Sequence, residues 1–125
     1  MKTKVGATVV CTRGGRILLS LPRMTADGLC LVGVRAKLEV LASAAARVLY
    51  EETTLIAKGR EFLFQVIVAT TVHHVFVANI SKTDAAMPGK EIQRCQWFAP
   101  SELDEIVVSP TTRHIIEGFC IVRNR

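Results

Sequence analysis

Residues 41 to 53 form the stretch that most limits what this chain can fold into. The segment contains four alanines and two leucines with no internal glycine or proline, a composition that predicts one α-helix. A turn of about 100° per residue gives this helix an apolar side, which is expected to be buried. That side carries Leu41, Ala44, Ala45, Val48 and Leu55.

Glu51 and Glu52 fall on the same side, in the last turn of the predicted helix. Both carboxylates are unfavourable there for two reasons. They lie among groups that should be buried. They also face the negative end of the helix dipole, which costs roughly 0.3–1 kcal/mol for each charge. A bound divalent cation would remove both penalties, since hard cations seek carboxylate oxygens. The spacing leaves open the alternative that the two side chains are simply solvated.

The spacing around this helix resembles the signature of the Nudix (MutT-like) hydrolases. In that signature a Gly is followed after five residues by Glu, and after seven more by Arg-Glu-apolar-any-Glu-Glu-any-Gly-apolar. Val48 stands where the signature has the Glu of its Arg-Glu pair, and Thr54 stands where it has the second Gly. The motif is therefore degenerate, and Val48 replaces one of its chemically active members. The matching residues are Gly33, Glu39, Arg47, Leu49, Glu51, Glu52 and Leu55.

The resemblance implies an α/β (α+β) fold, the Nudix-type α/β/α sandwich with a mixed β-sheet between helices. At 125 residues the chain fits a single domain over residues 1–125. Strand signals occur at residues 3–11, 17–21, 62–68, 73–80 and 91–98, and Ser109-Pro110 signals the start of the last helix. Residues 62–68 are nearly continuously apolar, which predicts a strand buried on both faces. Residues 29–38 are expected to be irregular.

The resemblance also implies that the protein binds Mg²⁺ or Mn²⁺ and cleaves a diphosphate joined to another group. Carried over by position, Glu51 and Glu52 are metal ligands, and the backbone carbonyl of Gly33 or of Val32 completes the shell. Val48 can neither bind metal nor act as a base, and the loss of a base typically costs about 10²–10⁴-fold in rate. A glutamate placed at position 48 is expected to meet metal and water rather than packed side chains. The alternative is that Val48 fills an apolar core, where a carboxylate would be destabilising.

Two further positions of the signature, and one residue beyond it, have supporting roles in the resemblance. Arg47, one turn before Glu51, would hold the Glu51 carboxylate by an ion pair, although an ordinary surface pair is the alternative. Glu39 would support the start of the helix. Glu91, from the loop before the last predicted strand, would supply a further ligand or base. The candidate catalytic residues are therefore Arg47, Glu51, Glu52 and Glu91.

Two arginines and two histidines are candidates outside the helix. Arg23 follows a strand and could reach a substrate phosphate, although a solvated loop arginine fits equally well. Arg35 is the second candidate for substrate binding. His73 and His74 are adjacent on a predicted strand and should point to opposite faces, so that one of them faces the core or a cleft.

The formal net charge of +5 fits either a nucleic acid or a phosphorylated small molecule as partner. The basic residues are dispersed, and with one Trp and one Tyr the chain has few platforms on which bases could stack. A small-molecule nucleotide or nucleoside diphosphate derivative is therefore the expected partner, and nucleic acid is not.

No apolar run reaches the roughly 18 residues that a membrane span needs, and no secretion signal precedes the first strand. The sequence therefore predicts a cytoplasmic protein whose four scattered cysteines stay reduced. The oligomeric state is left open between a monomer and a homodimer. The predicted function is that of a Nudix-type pyrophosphohydrolase, metal-dependent and of reduced activity because of Val48. The alternative is a nucleotide-binding or regulatory module of the same fold that turns over weakly or not at all.

Overall fold

The computed structural model describes residues 4–24, 28–35, 41–56, 61–81 and 84–123. Predictions for Glu39 and for the side chain of Arg35 lie outside this description. The strands are β1 (Lys4–Arg13), β2 (Arg16–Pro22), β3 (Val32–Arg35), β4 (Glu61–Val68), β5 (Thr71–Asn79) and β6 (Ile92–Phe98). The helices are α1 (Leu41–Thr53), a 3₁₀ segment (Pro100–Glu105) and α2 (Pro110–Arg123). The predicted bounds of α1 are confirmed.

The sheet is mixed and runs in the order β4-β5-β1-β2-β6, with β3 paired to the first half of β1. β1 and β5 are parallel, and the other pairs are antiparallel. Alternate residues of β1 face opposite sides of the sheet, so that Ala7 and Val9 pack with α1 whereas Val10 packs with α2. The predicted α/β/α sandwich is confirmed.

Two parts of the sheet differ from the sequence-based prediction. Residues 29–38 are not wholly irregular, because Val32–Arg35 pairs with β1. β4 is not buried on both faces, because it is an edge strand on which Phe62 is 51% and Ile67 is 67% exposed. A continuous apolar run in the sequence does not distinguish a central strand from an edge strand that packs partly on both faces. β4 is such an edge strand.

The last helix begins as the sequence predicts. The Ser109 hydroxyl accepts a hydrogen bond of 3.2 Å from the Thr112 amide, and Pro110 occupies the first helical position. All four cysteines are free thiols. Within the described residues, no helix is long and apolar enough to cross a membrane.

Candidate active site

The apolar face of α1 includes Val48, which is only 1% exposed. Val48 belongs to the core cluster between α1 and the sheet, together with Val9, Ala45 and Leu49. The expectation that a glutamate at position 48 would meet metal and water is therefore wrong. The hydrophobic core extends to within one turn of the carboxylate pair.

Glu51 lies on the solvent side of this face rather than within it. Nη1 of Arg47 lies 3.2 Å and 3.3 Å from the two carboxylate oxygens of Glu51, which confirms the predicted ion pair. The side chains of Arg47 and Glu51 are 31% and 54% exposed. The buried stripe of α1 is centred on residues 44, 45, 48 and 49, so Glu51 falls at its margin. The prediction that Glu51 shares the buried face is wrong.

Glu52 is half-buried, as the face assignment predicts. Burial, and to a smaller extent the neighbouring charge of Glu51, raises the pKa of its carboxyl group from an ordinary 4.5 to about 7. Within the part of the chain that the structure describes, no hydrogen bond or ion pair reaches the Glu52 carboxylate. Arg47 therefore pairs with Glu51, whereas the Glu52 carboxylate has no ion-pair partner among the described residues.

The end of α1 is fixed by Thr54 and by the loop of residues 84–91, which we call the capping loop. Thr54 has a φ of 62°, in the left-handed region that favours glycine, and its amide donates to the Tyr50 carbonyl at 2.8 Å. The resemblance places a glycine at this position. Amides of the capping loop satisfy the last two helix carbonyls, with Gly89 donating to Glu52 at 3.0 Å and Met87 donating to Thr53 at 2.8 Å.

Gly33 lies in β3 opposite Thr8 of β1, and it forms part of the wall of a cavity of about 380 Å³. Nδ1 of His73 lies 3.4 Å from the Thr8 hydroxyl, and burial lowers the pKa of the His73 imidazole. His74 contacts Phe62 at a ring-centroid distance of 6.1 Å, on the other face of the sheet. The prediction that the two histidines point to opposite faces is confirmed. The cavity is also lined by Lys4, Cys30, Leu31, Thr71, Ser109, Thr111 and Thr112.

The remaining candidates lie around the turn before β6. Glu91 is exposed, and its carbonyl accepts a hydrogen bond of 2.9 Å from the Arg23 amide. Nε of Arg23 donates to the Lys90 carbonyl at 3.1 Å, so the arginine supports this turn. Among the described residues, no three His, Cys, Asp or Glu side chains form a group that could hold a metal ion. Glu91 is therefore not assembled with Glu51 and Glu52 into a ligand set.

Sequence reasoning did not identify the cavity or the close approach of Gly89 to the end of α1. The signal for the cavity is the pair Gly6 and Thr8 at alternate positions of β1, together with the hydroxyl residues Ser109, Thr111 and Thr112 at the start of α2. The signal for the close approach is the Pro88-Gly89 dipeptide, which reads from sequence as a turn alone. Neither pattern specifies a partner, because the contact depends on elements far apart in the chain.

No family model matches the sequence, and no curated protein matches it. Solved structures are similar to it. A protein assigned to the Nudix hydrolase family from Chromobacterium violaceum matches with a TM-score of 0.85 at 22% identity, over 99% of this chain and 81% of its own. The Nudix domain of NrtR from Shewanella oneidensis, complexed with ADP-ribose, matches with a TM-score of 0.82 at 16% identity, over 94% of this chain and 86% of its own.

A bifunctional NMN adenylyltransferase/ADP-ribose pyrophosphatase from Francisella tularensis is also similar. It is complexed with AMP and a manganese ion, and it matches with a TM-score of 0.73 at 17% identity, over 92% of this chain and 40% of its own. At these identities the likeness shows the fold alone.

Proposed function

We propose that this chain, which has the fold of the Nudix hydrolases, is a metal-dependent pyrophosphohydrolase that cleaves a nucleoside diphosphate linked to another moiety. The observation that carries the proposal is the adjacent carboxylate pair at the end of α1. Arg47 holds Glu51, whereas Glu52 is half-buried with a raised pKa and without a described cationic partner. Ionisable groups perturbed by burial and by a like charge are concentrated at functional sites.

The pair fits Mg²⁺ or Mn²⁺ as a weakly held cofactor. Magnesium usually binds proteins through one or two carboxylates and completes its shell with water and substrate phosphates. Glu51 and Glu52 supply two carboxylates, and a cation would offset the repulsion between them. A bound cation would neutralise phosphate oxygens and lower the pKa of an attacking water. The manganese ion named for the structure from Francisella tularensis supports the same class of cofactor.

The cavity beside Gly33 is the proposed site for the nucleoside part of the substrate. Its volume of about 380 Å³ is within the usual range for small-molecule sites. Most of its polar lining is uncharged, with hydroxyl groups such as those of Thr8 and Ser109 and the imidazole of His73, which suits hydrogen bonding to a base or sugar. Lys4 is the charged side chain in its described lining and would favour a nearby phosphate. ADP-ribose and AMP, bound by two of the similar structures, belong to this class of ligand.

The proposed enzyme is slow, because position 48 provides no base. The resemblance puts a third carboxylate there, and the loss of a catalytic base typically lowers the rate by about 10²–10⁴-fold. Arg47 keeps one carboxylate of the pair in place by its ion pair with Glu51. The water would then depend on Glu52 for orientation and proton acceptance.

A hydrolysis screen tests this function. Diphosphate-linked nucleosides, including ADP-ribose and nucleotide sugars, are incubated with the protein and Mg²⁺ or Mn²⁺, and nucleoside monophosphate is measured as the product. Glu52→Gln should abolish the release, whereas Glu105→Gln, at an exposed site in the 3₁₀ segment, should leave it unchanged. Release of phosphate from simple monophosphates, with the diphosphates untouched, would contradict the proposal.

The burial of Val48 favours one second candidate, a Nudix-fold module that binds a nucleotide without efficient turnover. The Nudix domain of NrtR binds ADP-ribose in its crystal structure, which supports ligand binding by this fold. A nucleotide that raises the melting temperature of the protein, with no product formed in the presence of either metal, would select this candidate over the enzyme.

A further inference from the structure

The capping loop touches the end of α1 at one residue more closely than a side chain would allow. Resting on the proposed cation site, we infer that Gly89 is a positioning residue, which sets the placement of the Glu51 and Glu52 carboxylates through backbone contact with their helical turn. The inference concerns a residue outside the helix and outside the motif that the resemblance covers.

Hydrogen bonds first bring the loop and the helix together. The last carbonyls of an α-helix lack partners within the helix. At α1, the Gly89 amide donates to the Glu52 carbonyl at 3.0 Å, and the Met87 amide donates to the Thr53 carbonyl at 2.8 Å. The loop backbone therefore lies directly against the turn that carries the two carboxylates.

Close approach then makes glycine necessary at position 89. A Cβ atom built on Gly89 would lie 1.9 Å from the carbonyl oxygen of Glu51, 3.1 Å from its carbonyl carbon and 3.4 Å from Cα of Glu52. All three are backbone atoms, so no side-chain rotation can relieve the collision. The φ of Gly89 lies outside the left-handed region, so the contact, and not the conformation of the loop, requires a glycine.

Hydrogen bonds from Arg13 in β1 and from Arg23, which follows β2, hold both ends of the capping loop. These bonds limit how far the loop can move away from α1. Near the first end, Nη1 of Arg13 donates to the carbonyls of Ser81 and Asp84, at 3.3 Å and 2.6 Å. At the second end, Nε of Arg23 donates to the Lys90 carbonyl at 3.1 Å. A side chain at position 89 is therefore expected to displace the last turn of α1 as well as the loop.

Displacement of this turn should weaken cation binding, because ligand groups must be held to within about 0.5 Å of productive geometry. Loss of a supporting contact around a metal site typically weakens metal affinity by about 10–100-fold. Gly89→Ala should accordingly weaken binding of Mn²⁺ by about tenfold or more.

The test measures free Mn²⁺ by electron paramagnetic resonance during titration of the whole chain, at a temperature where every variant is folded. Two controls accompany Gly89→Ala. Gly118→Ala is a matched substitution in α2, where the new Cβ would meet only the ring of Phe64 at 3.3 Å. Ile116→Val removes one buried methylene on the opposite face of the sheet and should lower the melting temperature. Both controls should bind Mn²⁺ like the unaltered protein.

A merely structural role for Gly89 would lower the melting temperature of Gly89→Ala and leave its affinity for Mn²⁺ unchanged, and this result would overturn the inference.

If the unaltered protein binds no Mn²⁺, the proposed cation site fails separately. Amide hydrogen exchange then decides the positioning role without metal. Gly89→Ala should speed exchange at the Thr54 and Met87 amides by about tenfold or more, with the amides of β1 unchanged. Unchanged exchange at Thr54 and Met87 would overturn the inference.

Discussion

Val48 and Glu52 lie one turn apart on α1, and the boundary of the hydrophobic core passes between their side chains. Val48 is 1% exposed, whereas Glu52 is half-buried and its carboxyl pKa is raised to about 7. The candidate cation site can therefore extend along the helix only as far as Glu52. This boundary sets the expected effects of substitutions at both positions.

Val48→Glu should destabilise the protein rather than rebuild a trio of carboxylates. The new carboxylate would replace a packed side chain between α1 and the sheet, at a cost of about 3 kcal/mol or more. Urea denaturation of Val48→Glu and of Val48→Ala measures this cost, and the alanine variant accounts for the lost packing alone. Unchanged stability of Val48→Glu together with tighter Mg²⁺ binding would show that the side chain reaches the cation site.

The stability of the metal-free protein should fall as the pH rises through the range between about 4.5 and 7. The folded state raises the pKa of Glu52 from 4.5 to about 7, so the folded protein binds this proton more tightly than the unfolded chain. The stabilisation is complete below the lower pKa and lost above the upper one.

Glu52→Gln has no titrating proton at this position and should not show this dependence. We compare the free energy of unfolding of the metal-free Gln variant with that of the unaltered protein at two pH values. The difference in favour of the Gln variant should be roughly 1–3 kcal/mol larger at about pH 8 than at about pH 4.5. Saturating Mn²⁺ should restore the free energy of unfolding that the unaltered protein loses at high pH, and it should leave that of the Gln variant unchanged. Parallel stability curves for the two proteins in metal-free buffer would show that Glu52 titrates normally.

Thr54→Gly should stabilise the protein by about 0.5–1 kcal/mol, because a β-branched residue is strained at the φ of 62° found there. Part of the gain is offset by the greater freedom of glycine in the unfolded chain and by loss of the bond from the Thr54 hydroxyl to the Thr53 carbonyl. Thr54→Ala keeps a Cβ and should give no comparable gain. Thermal denaturation distinguishes the two variants, and equal melting temperatures would argue against strain at this position.

Arg47→Ala should affect the site more than it affects stability. An exposed pair at this spacing contributes only about 0.3–0.5 kcal/mol, and Arg16→Ala, which breaks the exposed Arg16–Glu102 pair, provides a control of similar size. Arg47→Ala should weaken the Mn²⁺-dependent rise in melting temperature, because the Glu51 carboxylate is then free to turn away. An equal response to Mn²⁺ in both variants would assign Arg47 to an ordinary surface pair.

The sequence by itself determined the parts of this protein that depend on neighbouring residues. The bounds of α1, the cap of α2 by Ser109 and the Arg47–Glu51 pair all follow from spacings of a few residues, and the structure contains each of them. The spacing from Gly33 to Glu52 also led to the Nudix fold, because the whole motif lies within one short stretch of the chain.

Only the tertiary structure decided where the buried stripe of each element ends and what lies against it. Val48 is core, as its place on the apolar side of α1 predicts, whereas Glu51 is exposed because the sheet covers a narrower stripe of α1 than helical periodicity suggests. β4 is an edge strand because no further strand pairs with it in the described sheet. Gly89 meets the carbonyl of Glu51 across a separation of nearly forty residues. Burial and close contact depend on elements that are distant in the chain, so local patterns in the sequence do not specify them.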